Sequence, residues 1–175
     1  MTKPVNIEVF VDINGLRTKM NAYSLQSFVD SLDCDHDHQE LMNILVKHPS
    51  HGVRRSVARH KLSPEAFNYL MAREKVTDVI TSLLYSNNAE NFTTEQVFGL
   101  LENSAIAVEI ASYLSSFDPD NVDIQKLTTK LASHPDPEVR KNVVHHLESK
   151  STLNRLSQDG DSSVAQAAIE RLGDL

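Results

Sequence analysis

The sequence predicts a mainly α protein: an α-α superhelix of stacked helix pairs, opened by a short N-terminal β-hairpin. Three observations predict it. First, residues 45–70 recur at 131–156: adding 86 to Leu45, His48, Pro49, Val53, Arg54, Val57, His60, Ser63, Asn68 and Leu70 gives Leu131, His134, Pro135, Val139, Arg140, Val143, His146, Ser149, Asn154 and Leu156, all identities. Such repetition marks a solenoid, whose units bury their apolar faces only by stacking. Second, apolar residues fall at helical spacing from residue 21 onward. Third, the start of the chain instead alternates with the period of a strand.

That start reads as a hairpin over residues 4–20. Val5, Ile7, Val9, Val11 and Ile13 alternate with Asn6, Glu8, Phe10 and Asp12, and Leu16, Thr18 and Met20 continue the pattern after Asn14-Gly15. Asn-Gly supplies the two positive-φ positions of a type I′ turn. A two-stranded hairpin is marginal in water, so its apolar face is expected to dock on the first helices or on a second chain.

Residues 21–44 read as the N-terminal helices. Leu25, Phe28, Val29 and Leu32 define one face; Leu41, Ile44 and Leu45 define the next buried stripe, with Asp37 and Glu40 spaced as a capping box. About five repeats are expected over residues 45–172, aligned on Leu45, Leu70, Leu100, Leu131 and Leu156. Val53, Val108, Val139 and Val164 follow at the eighth position and Val79 at the ninth; all are expected to face inward. Pro49, Pro64, Pro119, Pro135 and Pro137 keep the helices short, because residues before proline disfavour helix. Val164, Ala167, Ala168 and Leu172 form the last apolar stripe. The expected organisation is a single domain over residues 1–175.

The segments His134-Pro135-Asp136-Pro137-Glu138-Val139-Arg140 and His48-Pro49-Ser50-His51-Gly52-Val53-Arg54 resemble the turns of HEAT-like (armadillo-like) and leucine-rich-repeat-variant α-solenoids. In those families a short Asp-Pro or His-Pro turn precedes a Val-Arg helix start. The resemblance covers about residues 41–172, with Arg73-Glu74 and Asn103-Ser104 standing in place of His-Pro in the second and third repeats. It implies a curved helical stack and a binding role. The cysteine cluster that some leucine-rich-repeat variants use for an iron–sulfur centre is absent, since Cys34 is the one cysteine.

A composition of 40% hydrophobic and 23% charged residues is that of an ordinary soluble protein. No run of 18 apolar residues occurs, the N-terminus lacks a signal-peptide core, and a lone cysteine forms no intrachain disulfide, so a cytoplasmic protein that does not enter membranes is expected. The net charge of −7 argues against a generic nucleic-acid binder, but the charges are segregated. Residues 47–75 hold 7 Lys+Arg against 2 Asp+Glu; residues 76–125 hold none against 8. In a stack these blocks would form adjoining positive and negative zones. A homodimer pairing the two is one arrangement they allow.

Arg55, Arg59, Lys61, Arg73 and Lys75 are the candidate partner-binding residues, within a basic group that includes Lys47 and Arg54. Arg55 and Arg59, four apart, are expected to share a helix face. Arg54 recurs as Arg140 and is expected to pair with a carboxylate or carbonyl in the adjacent turn. The repeated His48, His60, His134 and His146 are expected to satisfy backbone groups at helix ends. Cys34, His36 and His38 are competent metal ligands spaced by two but lack a fourth. No two groups are placed to converge for acid/base chemistry, so no enzyme, catalytic residue, cofactor or metal is expected. The leading expectation is a non-enzymatic adaptor that binds another protein through its concave face or hairpin edge. The alternative is a nucleic-acid-associated protein contacting phosphates through residues 47–75.

Overall fold

The computed structural model describes residues 7–33 and 38–175. It is mainly α, with a two-stranded antiparallel hairpin before eleven α-helices among the described residues. The chain divides into two compact units, Met1–Asn91 and Phe92–Leu175. The proposed ligands Cys34 and His36 and the cap residue Asp37 lie outside the described residues. Among those described, no helix is long and apolar enough to cross a membrane.

In the first unit, β1 (Phe10–Ile13) pairs with β2 (Leu16–Lys19), with Ile13 opposite Leu16. Asn14 and Gly15 take φ of 52° and 82°, and the Asp12 carboxylate accepts the Gly15 amide. This is the turn that Asn-Gly favours. One hairpin face satisfies itself: Lys19 pairs with Glu8, and the Arg17 guanidinium lies 4.3 Å from the Phe10 ring centroid. The other carries Val11, Ile13 and Leu16, of which Ile13 and Leu16 remain 65% and 72% exposed. The tip of this apolar face is therefore left open by the first helices, one of the two places where docking was expected.

Five helices follow: α1 (Ala22–Asp30), α2 (Gln39–Leu45), α3 (His51–Ala58), α4 (Pro64–Arg73) and α5 (Thr77–Leu84), with a 3₁₀ turn at Asn87–Asn91. Packing joins α1 to α3 and α3 to α5, while α2 contacts α3 and α4. Leu25, Val29, Met42, Leu45, Val53, Val57, Phe67, Leu70, Val79 and Leu83 make the core. Two expectations fail here. Phe28 and Ile44 are exposed, and Met42 and Val46 are buried instead of Ile44. Neighbouring helix positions lie about 100° apart, so a short apolar run fits two stripes and only the packing partner selects one.

The second unit holds α6 (Thr94–Leu100), α7 (Ser104–Ser112), α8 (Ile124–Leu131), α9 (Pro137–Val143), α10 (Lys150–Leu156) and α11 (Ser162–Gly173). Here α7 packs on α9 and α9 on α11, α8 lies against α7 and α9, and α10 against α11. Phe92 and Phe117 meet edge to face, with ring centroids 5.8 Å apart. Leu101, not the expected Leu100, is the buried leucine here; Val108 is half-buried, its expected place taken by Ile106, Ala107, Ile110 and Ala111. Val53, Val79, Val139 and Val164 are fully buried, as expected.

Helices of 7–12 residues do not exceed the roughly 12–15 below which an isolated helix is marginal, so caps and packing must hold them. Side chains of Asn21, Ser63, Thr93, Asn103, Asp123, Asp136, Ser149 and Asp161 each accept a first-turn amide. Thr93 and Gln96 form a complete capping box. Pro64 and Pro137 occupy first-turn positions, where a missing N–H is harmless.

Removing two methyl groups at Val53 or Val139 leaves a cavity in a filled core. Val53→Ala and Val139→Ala should each cost about 2 kcal/mol, and Val108→Ala less than about 1 kcal/mol, in urea unfolding followed by circular dichroism.

Candidate binding surface

The surface is built on a motif that occurs twice. In the first copy the Arg54 guanidinium spans the turn before its own helix: Nη1 donates to the carbonyls of His48 and Pro49, both at 2.8 Å. Its other edge grips Glu74 at the end of α4, with Nε to Oε2 at 2.6 Å and Nη2 to Oε1 at 3.2 Å. In the second copy Arg140 Nη1 donates to His134 and Pro135 at 2.8 and 2.9 Å. Its Nε and Nη2 grip Asp159 at 2.8 and 2.7 Å. The expected pairing of Arg54 with a carboxylate or carbonyl is thus met by both. The imidazoles complete the turn, His48 Nδ1 accepting the Ser50 amide and His134 Nδ1 the Asp136 amide, each at 3.1 Å. With Nδ1 accepting, the proton sits on Nε2, and His134 donates it to the Leu101 carbonyl. His60 Nε2 meets the Val29 carbonyl at 2.9 Å. His146 departs from this pattern, being exposed at the edge of a cleft with Thr128, Thr129 and Glu148.

The carboxylates are nearly sealed, the Glu74 and Asp159 side chains being 3% and 9% exposed. Burial alone would raise the Glu74 carboxyl. The bonds from Arg54 and from the Val76 and Lys75 amides outweigh it and hold the carboxyl below its ordinary 4.5. The Arg140 bond leads in lowering Asp159, and Asp159 in turn raises Arg140. Burial lowers His48, with the Arg54 cation adding to it; at His146, exposed at its cleft edge, partial desolvation lowers the ring, with His145 and Arg171 adding to it.

Above the Arg54 clamp lies a cleft of about 230 Å³ lined by Val46, Lys47, Pro49, Tyr69, Leu70 and Arg73 among others. The Arg73 guanidinium stands 4.4 Å from the Tyr69 ring centroid and Lys47 Nζ 5.6 Å from it. Among the described residues, neither cation has a carboxylate within 4 Å.

The other candidates are scattered in role. Arg55 is half-buried, its Nε buried without a hydrogen-bond partner among the described residues, while Arg59 is exposed 3.7 Å from Asp30. The face they were expected to share is not an open pair of cations. Lys61 and Lys75 are exposed; the Lys61 carbonyl accepts from Gln39 and the Lys75 amide donates to Glu74. Tyr69 was missed by sequence reasoning, although its i, i+4 spacing from Arg73 was a usable signal.

Removing either arginine strands two carbonyls and a nearly buried carboxylate. Arg54→Met and Arg140→Met should each cost about 2–4 kcal/mol in chemical unfolding. A cost at only one of the two sites would show that the clamps are not equivalent. The pKa directions also set a sign. Lowered carboxylates and lowered histidines both mean that the unfolded chain binds more protons, so each contributes stability that is lost on acidification. Against a His48→Asn variant, which keeps an acceptor but does not titrate, the wild type should lose stability as pH falls below 6.5. Against Glu74→Gln it should do so as pH falls below 4.5. Unfolding midpoints from about pH 2.5 to pH 8 check both. Compared with known protein families, curated proteins and solved structures, the chain has no match.

Proposed function

We propose that this chain is a non-enzymatic helical-repeat adaptor of the HEAT-like or leucine-rich-repeat-variant kind, an α-α superhelix that binds another protein. The observation that carries the reading is the comparison of its two copies. Leu45, His48, Pro49, Val53, Arg54, Val57 and Leu70 are identical in the second copy, with Val46 and Phe67 exchanged for the apolar Ala132 and Leu153, while the outward Lys47 and Tyr69 are matched by Ser133 and Arg155. A constant frame under a changing surface is how repeat proteins select partners. The basic surface of the first unit supports a partner with acidic character, because Lys47, Lys61, Arg73 and Lys75 are exposed without a carboxylate within 4 Å among the described residues.

The second reading, contact with nucleic-acid phosphates through residues 47–75, draws on the same free cations. The net charge of −7 and the absence of tryptophan weigh against it.

The triple variant Lys61→Glu, Arg73→Glu, Lys75→Glu decides between them. A protein partner should lose about ten-fold or more in affinity, mostly through slower association. Nucleic acid would instead show binding that falls steeply and log-linearly with salt in a mobility-shift titration. Unchanged partner affinity in the triple variant would remove the basic surface from the adaptor reading.

A further inference from the structure

The two copies of the clamp differ in what covers them. At the position of Tyr69 the second copy has Arg155, whose Nη2 donates to the Ala132 carbonyl at 2.9 Å and reaches Ser133 Oγ at 3.5 Å. The groove between the helix ends is thereby spanned by the protein's own side chain. In the first copy Lys47 replaces Ser133, Tyr69 replaces Arg155, and the equivalent ground is an open cleft. Arg73 is a further addition: α10 ends at Leu156, whereas α4 runs a turn beyond the matching Leu70.

The lining of this cleft states its own chemistry. Its floor holds Arg54 and Glu74, which neutralise each other. Val46, Pro49 and Leu70 supply apolar wall, and the rim carries Lys47 and Arg73 with no carboxylate within 4 Å among the described residues. At about 230 Å³ it falls short of the roughly 300–1,000 Å³ typical of sites for small molecules and cofactors. It suits a single side chain. Nor does it suit a nucleobase, because Arg73 already lies on the Tyr69 ring, where a base would stack.

We propose that the cleft between Tyr69, Pro49 and Leu70 receives one apolar side chain from an acidic, extended segment of a protein partner, whose flanking carboxylates bind Lys47 and Arg73. The proposal rests on the adaptor reading and narrows it to one docking point. Fully desolvated anchors in small pockets carry most of the binding energy of an interface, and a charged rim sets the encounter rate and the choice of partner. Tyr69 keeps both cations close to the pocket mouth through its ring face.

The test exchanges the two copies. In the full chain, Lys47→Ser with Tyr69→Arg installs the residues that already sit on the matching Arg140 clamp, and leaves the net charge unchanged because one cation is lost and one gained. Fluorescence anisotropy would follow labelled peptides of aspartate and glutamate around a central leucine, and the same peptides with a central glycine. The wild type should bind the leucine peptide, about five-fold or more tighter than the glycine peptide, and the exchange variant should bind it about ten-fold more weakly. An unchanged urea midpoint shows that the exchange variant is folded. Equal binding by wild type and variant, equal binding of both peptides, or no binding of either overturns the proposal. A purified partner protein that binds wild type and exchange variant alike also overturns it while leaving the adaptor reading intact; loss of that partner with the exchange, at constant net charge, supports it.

Discussion

One arginine per copy organises the turns of this protein. Arg54 and Arg140 each bond two carbonyls of a His-Pro turn with one nitrogen and a carboxylate with two others. Only a planar guanidinium offers donors along two edges at once; a lysine ammonium would serve the carbonyls or the carboxylate but would not bridge them. The turn carbonyls sit at a helix boundary, where backbone groups lack intrahelical partners. By joining them to a carboxylate at the end of the following helix, the arginine fixes where each short helix begins relative to the end of the next.

That constraint matters because the helices cannot persist alone. Eight of them take a side-chain cap, and each buries only a few residues, so order comes from neighbours. In the first unit Asn88 plays a related part. Fully buried, it accepts the Leu62 amide and donates to the Ala58 and His60 carbonyls, satisfying the chain where α3 gives way to the loop before α4. The buried His48, His60 and Asn88 stand outside the α-helices at chain reversals, whereas Ser56, Ser82 and Thr128 lie within helices.

A frame held from within leaves its outer surface free to change. Matching hydrogen bonds of the two clamps differ in length by at most 0.5 Å, 3.2 against 2.7 Å, yet one is spanned by Arg155 and the other opens beside Tyr69. The difference is made by side chains that lie outside the buried core. The apolar face of the hairpin is a second unpaired surface, distinct in kind because it carries no charge, whereas its opposite face is satisfied by Glu8, Arg17 and Lys19.

Much of this was legible in the residues alone. The identities 86 apart, the Asn-Gly turn, the change of period at residue 21 and the inward valines are local signals, and local geometry is enough to express them. The arginine was legible as a structural residue for the same reason. Its carboxylate was not: adding 86 to Glu74 lands on Gly160, while the actual counterpart is Asp159. The longer glutamate side chain reaches from one position further along, so sequence register and spatial register part. Tertiary packing also chose Leu101 over Leu100 and Met42 over Ile44, since residues one or two apart on a helix point about 100° or 200° apart and only a neighbouring helix can favour one. The cleft at Tyr69 belongs to the same class: three residues from two helix ends meet there through folding, and the linear sequence encodes their types but not their meeting.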